Sequence, residues 1–335
     1  MRYSRSLLVF LAAALSACSL HGGVQVRKIA SGATPPAHVA SVISVTKQGQ
    51  PVTTLRTSAF RISDNGQLLD HQTIDLRLLP TDEVISFHTV LLMDMGPGLT
   101  AEGRKLLSLS FTKFVEKLKA RQSITVYAFD GGKILRLIGE FPQDPLGKSP
   151  SIAANRFAAP TDSSRNLRGA VVEALERLES KRKQHLQPIK LGNLVVFAAG
   201  QDLANRLDSS EFEEQLGKTT HHLYFVGLKG DADNDDVQAL SRHGQALSPD
   251  VTHIPEAFDQ VVSQLDADME SYYVLSYCTL ARAGEQRSQI EVDVVNDELE
   301  VESGRVEFDF NAKGFTTGCD ASKLPKMTLF RETAK

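Results

Sequence analysis

Val90-Leu91-Leu92-Met93-Asp94-Met95-Gly96-Pro97-Gly98 is the stretch on which the fold turns. Thr89–Met93 is a nearly unbroken apolar run, as a strand covered on both faces requires; a strand with one wet face would alternate instead. The run stops at a carboxylate followed by glycine and proline, which break a strand and open a loop. Ala101–Ala120 then places Leu106, Leu107, Leu109, Phe111, Phe114, Val115 and Leu118 at helical spacing. Buried strand, polar loop and amphipathic helix make the first unit of a parallel sheet.

The same rhythm continues to about Ser271. Ser123–Phe129 and Ile134–Phe141 read as strands joined by Asp130-Gly131-Gly132, a hairpin signal. Asn166–Arg182 is a second amphipathic helix, Leu194–Ala198 and Leu223–Leu228 are buried strands, and Pro255–Met269 is the last long helix. The fold class is therefore α/β, a doubly wound, mostly parallel, Rossmann-like sheet over residues 86–271. On either side the period drops to two. Val39–Thr46, Ala59–Ser63 and Thr73–Leu79 form an N-terminal β segment, 39–85. Tyr272–Cys278, Gln289–Val295 and Gly304–Phe310 form a C-terminal one, 272–322. Together they predict one small β-sandwich with the α/β domain inserted between its halves. Residues 18–38, rich in Gly, Pro, Ser and Ala, read as a flexible tether, and 323–335 as a loose polar tail.

Residues 1–17 are an address. Arg2 and Arg5 precede the apolar stretch Leu7–Leu15, and small residues lead to Leu15-Ser16-Ala17-Cys18. That is a secretory signal. Its ending resembles a bacterial lipoprotein signal, which implies an acylated Cys18 (a palmitate-bearing anchor). Ser19 in place of Asp resembles lipoproteins sent on to the outer membrane. The predicted location is the bacterial cell envelope, membrane-bound through the lipid anchor only. Cys278 and Cys319 then lie in an oxidising compartment and are predicted to pair, stabilising the fold by roughly 4 kcal/mol. The 37 Lys+Arg and 41 Asp+Glu are interspersed, so no basic face exists to neutralise phosphates and nucleic acid is excluded as partner.

The stretch 90–98 looks like the first strand and ligand loop of a von Willebrand factor A domain, a family whose loop runs Asp-x-Ser-x-Ser. The resemblance extends through Leu167–Leu178 and Leu194–Gly200. Val45–Asp64 and Tyr272-Tyr273-Val274-Leu275-Ser276-Tyr277 are similar to the flanks of a bacterial group of secreted A-domain proteins. The resemblance implies a divalent-metal site at the carboxyl ends of the strands, where Mg²⁺ takes six hard oxygens. This chain departs from that pattern. Asp94 stands, but Gly96 and Gly98 occupy the two Ser positions, Arg165 the Thr position, and Ala198-Ala199-Gly200 replaces Thr-Asp-Gly. One carboxylate does not hold Mg²⁺ against water, so no metal and no cofactor are expected.

The expected role is a non-enzymatic protein–protein interaction module facing another envelope or extracellular protein. Its contact loops would include Met95, Pro97, Leu99, Asp162, Ser164, Gln201 and Asp202, because ligands of open α/β sheets lie at the carboxyl ends of the strands. An ion pair of Asp94 with Arg165 would replace the metal, since a buried carboxylate without a counter-charge is costly. The alternative is a metal-dependent adhesin or enzyme with a non-standard shell around Asp94 and Asp202, with Thr161 or Asp162 reaching in. Asp231–Asp236 lacks the glycine and the bidentate Glu of a calcium loop and reads as a helix cap. The neighbours His221 and His222 point to opposite faces of a strand. No nucleophile elbow, phosphate loop or zinc motif is present, and no small-molecule substrate is inferred.

Overall fold

The computed structural model describes residues 23–147, 162–231, 235–296 and 298–330. The signal segment 1–17, Cys18, Thr161, the middle of the 231–236 acidic run and residues 331–335 lie outside the described residues. The chain begins with β1 (Val24–Thr34), β2 (His38–Lys47), β3 (Gln50–Pro51), β4 (Phe60–Asp64), β5 (Gln67–Leu68) and β6 (Arg77–Leu79). A single turn, α1 (Thr81–Val84), leads into β7 (Ile85–Asp94), α2 (Ala101–Leu118), β8 (Ser123–Phe129) and β9 (Arg136–Phe141). Then come α3 (Leu167–Arg182), β10 (Ile189–Ala198), α4 (Ser209–Lys218), β11 (His222–Leu228), α5 (Asp235–Leu240), β12 (Gly244–Ser248) and α6 (Ile254–Glu270). The chain closes with β13 (Tyr272–Cys278), β14 (Glu285–Val295), β15 (Val301–Asn311) and β16 (Thr328–Leu329).

The central sheet runs β12-β11-β10-β7-β8-β9, parallel except for the hairpin strand β9. All ten residues of β7 are buried. Leu91 and Met93 point to one face, where α2 and α6 pack with Phe111, Phe114, Phe258 and Val261. Val90 and Leu92 point to the other, where α3, α4 and α5 pack with Val171, Leu178, Phe212 and Val237. Two dry faces explain the unbroken apolar run at 89–93. Thr100 caps α2 through the Gly103 N–H at 3.1 Å, and Asp208 caps α4 through the Glu211 N–H at 2.9 Å.

Two antiparallel sheets form the sandwich. One runs β16-β1-β2-β13-β6 with β3 beside β2, the other β15-β14-β4-β5. Between them lie Val39, Ile43, Phe60, Ile62, Tyr277, Ile290 and Phe308. The first sheet's outer face, through Ala30, Val42 and Val274, joins the core under α6. The inserted domain leaves from β6 and returns at β13, and these strands pair directly, Val274 with Leu79. The insertion therefore costs the sandwich no strand pairing. Cys278 and Cys319 form a disulfide with Cα atoms 5.8 Å apart.

Three expectations are corrected. Within 18–38, residues 24–34 are not a tether but strand β1, paired with β2 from Val24↔Lys47 to Thr34↔His38. The small residues there are ones that a packed strand also accepts, and the pairing partner is the next strand, β2, which closes a hairpin with β1. The tail is not loose throughout, because Thr328 and Leu329 pair with Ser31 and Ala30. Gly32 permits that approach, since a Cβ there would meet the Lys326 carbonyl oxygen at 2.2 Å. Of Thr73–Leu79 only the last three residues are strand; Asp70 draws Thr73 into a turn by accepting from its N–H and hydroxyl, both at 2.9 Å.

Candidate functional site

Asp94 ends β7 fully buried, and three donors converge on it. Arg165 Nε donates to Oδ2 at 2.5 Å, the Ala199 N–H to Oδ2 at 2.9 Å and the Gly96 N–H to Oδ1 at 2.6 Å. Arg165 is itself 4% exposed. Its remaining donors reach the Gln201 carbonyl at 3.2 Å, the Ala199 carbonyl at 3.2 Å and the Pro97 carbonyl. The Arg165 carbonyl accepts from Leu203 and Ala204, both at 2.9 Å. One guanidinium thus ties together the loops after β7 and β10 from its own place before α3, which its planar fork of donors suits. Burial pushes the Asp94 carboxyl above its usual range, while Arg165 and the Ala199 and Gly96 N–H groups pull the other way.

Glycines make the room. A Cβ on Gly200, where φ is +146°, would lie 2.7 Å from Arg165 Nη1; one on Gly96 would lie 2.9 Å from Asp94 Oδ1. The sequence-level signal for this cradle is the run Gly96-Pro97-Gly98 facing Ala199-Gly200. The part missed is that Gly200 and the carbonyls of Pro97, Ala199 and Gln201 serve the arginine.

The remaining carboxylates have local duties. Asp202 accepts from the Arg168 N–H at 3.0 Å, at the start of α3, and from the Asn205 N–H at 2.7 Å. Asp162 accepts from the Ser164 N–H at 2.9 Å. Asp236, from the acidic run 231–236, pairs with Arg168 Nε at 2.9 Å. His221 and His222 take different partners, Glu179 at 3.4 Å and Asp268 at 2.8 Å. A divalent cation does not fit at Asp94. Both carboxylate oxygens already accept N–H donors, Gly96, Gly98 and Ala199 carry no side-chain oxygen, and a permanent positive charge lies against the carboxylate. No group of three or more His, Cys, Asp or Glu arranged for a metal occurs among the described residues.

The proposed contact loops are partly corrected. Met95 and Leu99 are packed in the core beneath α2, and Asp202 is 8% exposed, so these three cannot touch a partner. Pro97, Asp162 and Ser164 are half-buried and Gln201 is exposed. Beside them stand Ile134 and Leu203, 79% and 47% exposed. Arg206 braces this face by donating twice to the Gly131 carbonyl, at 3.0 and 2.9 Å.

The sheet order, the single antiparallel strand and a buried aspartate closing the central strand define a von Willebrand factor A-like fold, set in a β-sandwich. No family model matches the chain, and no curated protein matches its sequence. Among solved structures it is similar to a von Willebrand factor type A protein from Catenulispora acidiphila, at 9% identity over 87% of this chain and 74% of that one, with a TM-score of 0.43. It is also similar to the PilB minor pilin from Streptococcus sanguinis (9%, 73% and 79%, 0.39) and to the manganese-loaded TRAP protein of Plasmodium vivax (7%, 71% and 97%, 0.39). These likenesses are distant, and the fold rests on strand order and on the place of Asp94.

Proposed function

We propose that this chain is a lipid-anchored bacterial envelope protein, held by an acylated Cys18 in the outer membrane, whose A-like domain binds another protein without a metal ion and without catalysis. The observation that carries the reading is the Arg165 clasp. In an A domain that binds through a metal, the ion completes its shell with an oxygen from the partner, so the face is unfinished until both are present. Here Arg165 and Asp94 satisfy each other from within the chain. The face around Pro97, Ser164, Gln201, Ile134 and Leu203 is preformed, and a partner meets it by shape, hydrogen bonds and apolar contact. The buried charges hold the loops and do not touch the partner.

The test is affinity capture from detergent-solubilised membranes with the mature chain as bait, with EDTA and with Mg²⁺. A protein retained equally under both conditions, and lost on Leu203→Glu, fits the reading. Retention only with Mg²⁺ contradicts it.

A further inference from the structure

The hairpin of β14 and β15 ends in an apolar tip that none of the described residues covers. Val295 and Val301 face each other across the hairpin. Both are 61% exposed, and Leu299 between them is 83% exposed. Leu299 also holds a left-handed backbone, φ +64°, where a branched side chain is disfavoured and Gly or Asn is the usual choice. Every other left-handed non-glycine residue described is Asn, Asp or Gln. The turn is fixed. The Asn296 side-chain oxygen accepts the Glu298 and Glu300 N–H groups at 3.0 and 2.8 Å, and the Asn296 carbonyl accepts the Leu299 N–H at 3.0 Å. A leucine is thus held outward at a position that opposes it on two grounds, conformation and hydration.

The direction of the tip indicates what it meets. β4 supports β14 only from Ser288 to Val292, so the tip projects beyond its own sheet. β1 tracks β15: Lys28 donates to the Glu307 carbonyl at 3.2 Å, and a Cβ on Gly304 would lie 2.6 Å from the Val24 carbonyl oxygen. Followed backwards, both strands leave the molecule at the same end. From there the chain has six residues to Cys18, a reach of at most about 21 Å.

We propose that Val295, Leu299 and Val301 form a lipid-contacting knob that enters the headgroup boundary beside the acyl anchor and fixes how the protein stands on the membrane. The inference rests on the anchor proposed above. Acyl chains attached at one residue leave a protein free to rotate about that point, whereas a second, rigid apolar contact removes that freedom. Glu298 and Glu300 flank the knob and are exposed, so the surface it enters is zwitterionic rather than anionic.

The sequence has no tryptophan, so Leu299→Trp in the full chain, matured in a bacterial host, carries one unambiguous fluorophore. It is reconstituted into vesicles of phosphatidylcholine and phosphatidylethanolamine with brominated acyl chains. Flotation and intact mass at Cys18 report the anchor; indole emission reports the tip. The expected result is a blue-shifted emission quenched by the brominated lipid, weakened as phosphatidylglycerol is added, and absent for Ile134→Trp in the β8–β9 connection of the A-like domain. Leu299→Gly, which relieves the backbone, is expected to leave the unfolding temperature unchanged or higher, showing that the leucine does not serve the fold. A chain that floats with its indole still in water overturns the knob and leaves the anchor standing. A chain without acyl mass that does not float overturns both. Shielding in native membranes but not in pure lipid overturns the lipid assignment in favour of a membrane protein partner.

Discussion

At the scale of single residues, Asp94 and Arg165 are worth more as a pair than apart. Removing one partner of a buried ion pair leaves the other uncompensated, at a cost of about 3–5 kcal/mol, whereas removing both can be nearly neutral. Asp94→Ala and Arg165→Ala are each expected to destabilise by that amount, and the double variant by clearly less than the sum. Denaturant unfolding of the four proteins measures the coupling, and additive effects would mean the contact is idle. Two histidines set a different dependence. Burial holds His88 down to about 3 and His221 to about 4, against an ordinary 6.5. Below pH 6.5 the unfolded chain takes up protons that the folded chain refuses. Stability is therefore full above that pH and falls as pH drops towards 4, by up to about 1.4 kcal/mol per pH unit for each histidine. Between pH 6.5 and 5, His88→Gln, which can keep a hydrogen bond to Thr125, is expected to flatten the slope. An unchanged slope would show that His88 is protonated in the folded protein.

At the scale of elements, the terminal strand and the disulfide hold the sandwich from two sides. Gly32→Ala would press a methyl group into the Lys326 carbonyl, and the expected cost is about 1–3 kcal/mol. Hydrogen exchange should show the loss at Phe330, whose N–H donates to the Ile29 carbonyl at 2.9 Å, with the central sheet unaffected. The Cys278–Cys319 disulfide spans 41 residues, so its reduction is expected to lower stability by roughly 4 kcal/mol, with the exchange pattern of β7 and β10 unchanged. These elements also show where sequence reading reaches and where it stops. β7 and α3 were legible because periodicity reports burial, and a strand dry on both faces has few alternatives. β1, β12 and β16 were not. β1 forms a hairpin with the next strand, β2, but a run such as Ala30-Ser31-Gly32-Ala33 carries no period that separates a strand from a linker, β12 is only five residues long, and β16 pairs with a strand at the opposite end of the chain. The site divides in the same way. A carboxylate at the end of a buried strand and an arginine in the facing loop could be read from their positions, whereas the burial of Met95, Leu99 and Asp202 depends on how the loops fold back over α2 and α3.

At the scale of the whole molecule, an A-like domain whose strand-end loops are tied by Arg165 to Asp94 is carried on a sandwich that brings both its chain connections together. The charge that a cation would bring is already covalently present as Arg165, and the loops it ties cannot open to admit six oxygens without breaking its bonds to Asp94, Ala199 and Gln201. Thermal unfolding is accordingly expected to be the same in EDTA and in excess Mg²⁺, since a ligand that does not bind the native state cannot stabilise it. The most direct measurement is calorimetric titration of the mature protein with Mg²⁺ and Mn²⁺. Metal independence predicts no saturable heat with either ion. Stoichiometric binding that disappears in Asp94→Ala would contradict it, because the carboxylate would then be serving a metal rather than Arg165.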